Sequence, residues 1–310
     1  MTAAADILAR LAARQQVSDR VMILVAHPDD ETIGLGAQLC RFDDALLVHV
    51  TDGAPRDGED ARRYGFTDAA DYAVARRAEL AAAMQAGEAA RVRTSCLGIP
   101  DKEAMGDLAG LARRVAGLLR IERPAALFTH CYEGGHPDHD AAAFAARTAC
   151  RLVSAPPAII EMPLYHREGG ALIRDRFPNP LPRRRPGSML QATGRPNHGS
   201  RPSPGRRCCD ETKIVLNEKD LRRKQAMVEC FATQLWLLQE FELSAERLRI
   251  APDYDFTQPP HPGILHYETL GWGISGADWR EAAREAMREL GLGPPASCRQ
   301  AGGTPAVRWC

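Results

Sequence analysis

Two short stretches of the chain concentrate groups that bind metals and move protons. One reads Ala26-His27-Pro28-Asp29-Asp30-Glu31, the other Tyr132-Glu133-Gly134-Gly135-His136-Pro137-Asp138-His139-Asp140. Each pairs imidazole with carboxylate at i and i+3 on a turn entering a helix, so two side chains of each can aim at one point. Two imidazoles and one carboxylate form a recurring catalytic zinc shell that leaves a position open for water. A structural zinc site would close that position, usually with sulfur, so nitrogen and oxygen donors with a spare carboxylate point to hydrolysis. Alone, His27-Pro28-Asp29-Asp30 would read as a turn with an aspartate helix cap. A second cluster at the one other strand tip expected beside it makes a shared metal site the stronger reading.

The elements that must bring these stretches together are legible in the periodicity. Five aliphatic runs, Val21 to Ala26, Ala45 to Thr51, Val92 to Leu97, Ala125 to His130 and Ala158 to Tyr165, read as strands. Between them Thr32 to Cys40, Ala69 to Ala86, Leu108 to Ile121 and Ala141 to Val153 have helical period. This alternation predicts an α/β fold, a doubly wound, mostly parallel Rossmann-like sheet with helices on both faces. With the common order 3-2-1-4-5, ligands sit between the carboxyl ends of strands 1 and 4. Met1 to Gln16 reads as an amphipathic first helix.

Past Arg167 the texture changes. Residues 167–212 hold seven prolines between Pro178 and Pro204 and the basic clusters Arg183-Arg184-Arg185 and Arg206-Arg207, and read as a solvated loop insertion. Lys213 to Leu216 predicts a strand, Asn217 or Glu218 to about Phe241 a helix with Trp236 in the core, Ile264 to Tyr267 a strand, and Ala277 to Leu290 a last helix. The expected organisation is a catalytic core over 1–166 with the metal site, the insertion over 167–212, strands and helices over 213–290 completing the same domain as an irregular C-terminal extension, and an unstructured tail over 291–310.

Composition narrows the function class. The chain has 310 residues with forty basic against forty acidic side chains and a pI near 7.1, which removes the attraction that nonspecific nucleic-acid binders and membrane-surface proteins depend on. Val21 to Ala26 is the longest aliphatic run of the first half, far below the roughly 20 residues of a bilayer span. No export signal is expected, and nine scattered cysteines without a CxxC read as reduced thiols in a cytoplasm. Homo-oligomerisation is left open.

The paired motifs bring a family into view. Ala26-His27-Pro28-Asp29-Asp30-Glu31 with His136-Pro137-Asp138-His139 resembles the zinc-dependent PIG-L or LmbE-like de-N-acetylases, which include sugar deacetylases acting on glycosylphosphatidylinositol precursors and on intermediates of mycothiol and bacillithiol synthesis. The resemblance covers about residues 20–166 and continues more weakly through Arg222 to Gln234. It implies that His27, Asp30 and His139 hold the metal, that Asp29 is the general base, and that His136 polarises the substrate carbonyl. The residues agree with that division, because of two consecutive aspartates only one can readily join His27 on the metal. Metal-activated water would lose its proton to Asp29 and attack the acetamide of an N-acetylated amino sugar conjugate, with a protonated His136 stabilising the oxyanion. Asp138 or Asp140 would orient a histidine. Arg76 and Asp101 match family positions that contact sugar hydroxyls; read by themselves they are an exposed helix charge and a helix cap. Zinc is the expected cofactor, although nitrogen and carboxylate donors suit other divalent first-row ions.

Other readings compete. Hydrolysis of another amide, in a thiol conjugate or an N-acyl glycosylated natural product, would use the same metal shell. A nucleotide-binding module would need a glycine-rich turn directly after strand 1, and Gly34 and Gly36 come too late: two carboxylates occupy that turn and repel phosphate. His49 reads as a packed strand residue, His130 as a support behind the site, His261 and His266 as residues near the cleft mouth, and Trp272 and Trp279 as stacking surfaces for a sugar ring.

Overall fold

The computed structural model describes residues 2–179 and 211–293. The first helix, α1 (Ala3–Ala12), is capped by Thr2 and buries Ile7, Leu8 and Leu11. Then follow β1 (Val21–Val25), the short α2 (Asp30–Leu35), β2 (Ala45–Pro55), α3 (Glu59–Arg63), α4 (Ala69–Ala86), β3 (Val92–Asp101), α5 (Leu108–Glu122), β4 (Ala126–His130), α6 (Pro137–Arg151) and β5 (Ala158–Met162). A hairpin of β6 (Tyr165–Glu168) and β7 (Ala171–Arg174) precedes β8 (Thr212–Val215), α7 (Glu218–Glu229), α8 (Leu235–Leu238), β9 (Ala245–Ile250) and α9 (Gly276–Glu289).

The main sheet runs β3-β2-β1-β4-β5-β9-β8. Its first five strands are parallel, and β1 lies between β2 and β4, with Leu24 opposite Val48 and Thr129. Because successive side chains of a strand face opposite ways, β1 feeds two cores. Val21, Ile23 and Val25 pack with α1, α4 and α7, whereas Met22 and Leu24 pack with α5, α6 and α9. The expected α/β architecture and the neighbouring of strands 1 and 4 are both present.

Several expectations beyond Arg167 are overturned. The stretch assigned to a loop insertion begins with the β6–β7 hairpin. The helix expected from 217 or 218 to about 241 breaks after Glu229, because the chain turns aside so that the Thr233 amide and hydroxyl reach Glu79 at 2.8 and 2.7 Å. Trp236 is accordingly not core; it is half exposed beneath the Arg63 guanidinium. Ile264 to Tyr267 is not a strand: a 3-10 turn over His266–Thr269 begins there, with Glu268 accepting the Leu265 and Gly276 amides. Strand β9 was not foreseen. It pairs antiparallel with both β5 and β8, and its inward charges are neutralised by Lys224 on Glu246 at 3.0 Å and Glu161 on Arg249 at 2.6 Å.

The clusters Arg183-Arg184-Arg185 and Arg206-Arg207, His198 and nearly all of the tail fall outside the described residues. No helix among the described residues is long and apolar enough to cross a membrane.

Candidate active site

The site forms where β1 and β4 end side by side. After Val25 the chain turns through residues 26–29, and α2 starts at Asp30. The Ala26 carbonyl accepts the Thr51 amide and hydroxyl, while its amide meets His130 Nε2 at 3.0 Å, so both neighbouring strands fix the turn. Across from it, Gly135 has Tyr165 O so close that a Cβ would lie 2.0 Å away, and only glycine lets the loop lie there. His136 then caps α6, its Nδ1 accepting the Asp138 amide at 3.2 Å, and Pro137 fills the first helical position.

Every sequence-predicted residue arrives at or against this junction. His27 and His136 have ring centroids 4.5 Å apart, and His139 lies 5.2 Å from His27 and 5.3 Å from His136. Asp30 bridges them: Oδ2 lies 3.4 Å from His27 Nδ1 and Oδ1 lies 3.3 Å from His139 Nε2. Asp29 turns away from Asp30, its Oδ2 accepting from Arg76 at 3.0 Å. Asp29 stands at the helix-cap position without making a side-chain cap bond, so capping does not explain it. Asp101, at the end of β3, is no helix cap; its Oδ1 lies 3.0 Å from His27 Nε2 and 3.7 Å from His136 Nε2. Asp138 orients His27 at 3.3 Å while accepting the Lys102 and Ala104 amides. Asp140 serves the backbone instead, accepting the Glu133 and Gly134 amides.

Arg76 differs from its sequence reading. It is 2% exposed, not a surface charge, and its Nη2 is committed to Pro28 O at 2.7 Å and to Asp29. Trp279 is fully buried with its indole N–H on Pro137 O, which removes it as a stacking surface. Trp272 does reach the site, 5.0 Å from His136, with Lys102 Nζ 4.9 Å from its ring. His49 is packed as expected, bonded to Glu31 at 3.0 Å, and His130 stacks behind His139 with centroids 4.3 Å apart. His266 meets Tyr165, and Tyr165 meets His139, so His266 is one ring removed from the site.

Three neighbours were given no role by sequence reasoning. Glu31 accepts the Asp29 amide at 3.2 Å, Tyr165 packs edge-on to His139, and the fully buried Glu133 accepts the Leu164 and Tyr165 amides with Oε1 3.8 Å from His139 Nδ1. The available signal was an acidic residue in each motif, Glu31 at the end of the first and Glu133 near the start of the second.

Burial and mutual charge set the protonation states. Burial works against charge on Asp30, but His139 and His130 outweigh it and hold its carboxyl well below the usual range. Burial likewise opposes charge on His139, yet Asp30 raises it to about 9, and Asp101 raises His27 well above an ordinary imidazole. His136 goes the other way: burial, then repulsion from His27, holds it well below the ordinary value. It is a neutral ring, and with Nδ1 accepting from Asp138 its proton sits on Nε2. Burial pushes Asp29 up to about 6 against the pull of Arg76.

The donor set fits a divalent cation. Ligand atoms of His27, His136 and His139 lie within 4.8 Å of one another, as do those of Asp30, His130 and His139, and those of His27, Asp101, His136 and Asp138. The expected trio of His27, Asp30 and His139 draws on the first two groups, which share His139. Two imidazoles held protonated by carboxylates supply the positive charge that such an ion would bring, and His139 Nδ1 is buried without a hydrogen-bond partner.

A family described as PIG-L, GlcNAc-PI de-N-acetylase, matches residues 22–150. Comparison with curated proteins by sequence gives no match. Among solved structures, a zinc-inhibited form of teicoplanin deacetylase aligns at 16% identity and TM-score 0.51, covering 76% of this chain and 100% of its own. A40926 pseudoaglycone deacetylase aligns at 18% and 0.51 with the same coverage. A deacetylase–teicoplanin complex aligns at 14% and 0.50, covering 74% and 97%. At these identities the likeness establishes the fold.

Proposed function

We propose, from the premise that residues 22–150 form a PIG-L family domain, that the protein is a metal-dependent de-N-acetylase of an N-acetylated amino sugar or its conjugate. The observation that carries this reading is the meeting of His27, Asp29 and Asp30 with His136 and His139 at the shared end of β1 and β4. Residues 1–166 and 213–290 act as one catalytic unit.

His27, Asp30 and His139 would hold a divalent cation, zinc by preference, which supplies Lewis acidity toward a water and the substrate carbonyl. The chain's own residues do the rest. Asp29 commits only Oδ2 to Arg76, and among the described residues no group donates to its Oδ1. That oxygen takes the proton of the attacking water as the new C–O bond forms. The neutral His136 donates its Nε2–H to the oxygen that gains charge at the tetrahedral carbon. This replaces the imidazolium expected from sequence. Asp29 then returns its proton to the departing nitrogen as the C–N bond breaks, releasing acetate and free amine. Asp138 keeps His27 oriented. Of the two expected sugar contacts, Asp101 retains the part, its side chain 15% exposed beside His27 and His136. Trp272 adds an aromatic edge at the same mouth. The described cysteines Cys40, Cys96, Cys131, Cys150 and Cys230 are free thiols, which supports work in a reducing cytoplasm.

The test is amine and acetate release from a panel of N-acetylglucosaminyl conjugates, including N-acetylated glycopeptide glycosides, by zinc-loaded protein. Release from at least one member supports the proposal. Silence across the panel overturns deacetylation and leaves hydrolysis of another amide as the reading.

A further inference from the structure

The Asp29 backbone has φ 145°, a region that L residues rarely occupy. Such strain persists only where the surroundings over-determine it. Here the surroundings centre on one guanidinium. Arg76 Nη2 bonds the Pro28 carbonyl at 2.7 Å and Asp29 Oδ2 at 3.0 Å, stapling the peptide and the carboxylate of the turn together. Gly53, at φ 68°, makes room for it: a Cβ there would lie 2.9 Å from Pro28 Cδ and 3.0 Å from Arg76 Nε.

The arginine is itself held. Glu79, one turn along α4, has Oε2 3.7 Å from Arg76 Nη1, and its two oxygens accept the Thr233 amide and hydroxyl. Tyr72, one turn the other way, accepts from Gln234 Nε2 at 2.7 Å. Thus one face of α4 is pinned by the Thr233–Gln234 loop beneath the turn that carries the carboxylate.

We propose that Arg76 is a positioning residue, which fixes the Asp29 carboxylate for proton transfer through a strut running from Thr233 through Glu79. The inference rests on the reading of Asp29 as general base. Its geometry differs from a sugar contact, because Arg76 is buried and its Nη2 is already engaged by Pro28 O and Asp29 Oδ2.

The experiment measures kcat, KM and zinc content on the most active panel conjugate for Arg76→Ala, Arg76→Lys, Glu79→Gln, Asp29→Asn and Arg76→Ala/Asp29→Asn. Melting temperatures of the metal-free proteins are recorded alongside. A misplaced base should cost Arg76→Ala about 100-fold in kcat, with KM and zinc content unchanged. Added guanidinium should recover about tenfold, Arg76→Lys should retain part of the rate, and the double variant should lose no more than Asp29→Asn alone. Melting temperatures of the Arg76 and Asp29 variants should be non-additive. A raised KM with kcat intact would make Arg76 a substrate contact and overturn the proposal, as would loss of zinc or additive melting temperatures. If Arg76→Ala fails to fold, Glu79→Gln carries the test, and an unchanged kcat there overturns the strut. Full activity in Asp29→Asn is a different failure, that of the general-base reading itself.

Discussion

Asp29 and Asp30 are neighbours in sequence with opposite electrostatic fates. Asp30 faces imidazoles and stays ionised well into acid, whereas burial brings Asp29 up to about 6. In the metal-free protein the Asp29 carboxyl should therefore take up its proton at about pH 6, where an ordinary aspartate does so at about 4. Side-chain carbon NMR of the metal-free protein across pH checks this, and a midpoint near 4 would contradict it. Asp29→Ala should keep bound zinc by elemental analysis and lose about 10²–10⁴-fold in turnover. His139→Ala, by contrast, should lower the zinc content itself. Much at this scale was legible, since both motifs and their adjacency could be read directly. What could not be read was direction: nothing local says that Arg76 points inward to Asp29, or that Asp138 rather than Asp140 reaches a histidine.

At the scale of elements, legibility followed the strength of the periodic signal. The bounds of α4 match the sequence reading because Asp68 caps it, with Gly87 at its end. Strand β9 was missed because Glu246, Arg247 and Arg249 interrupt its apolar pattern, and their partners Lys224 and Glu161 lie elsewhere in sequence. The break after α7 was invisible for the same reason, its cause being a glutamate on α4. The buried Lys224–Glu246 pair also ties α2 to this edge, since Lys224 donates to Ile33 O and Glu246 accepts the Ala37 amide. Lys224→Met leaves a buried carboxylate unpaired and should cost about 3–5 kcal/mol, read as a lower urea midpoint. An unchanged midpoint would show the pair to be dispensable.

At the scale of the whole molecule, the site stores protons where it would store a cation. At pH 7 His139, raised to about 9, carries a proton in the metal-free protein. A ligand imidazole must give that proton up, so zinc loading at pH 7 should release about one proton or more. Calorimetry in buffers of different ionisation enthalpy measures this, and zero release would show that the metal-free site holds no such proton. The sheet has a further consequence. Strands β1 to β5 and both motifs lie before residue 180, while β8, β9 and Thr233 lie after 210 and join the first part through β5–β9 pairing and the α4 contacts. Two separately encoded pieces, 1–179 and 211–293, should therefore assemble when co-expressed and regain turnover by complementation. The first piece alone would own every expected zinc ligand yet lack the support that aims its base.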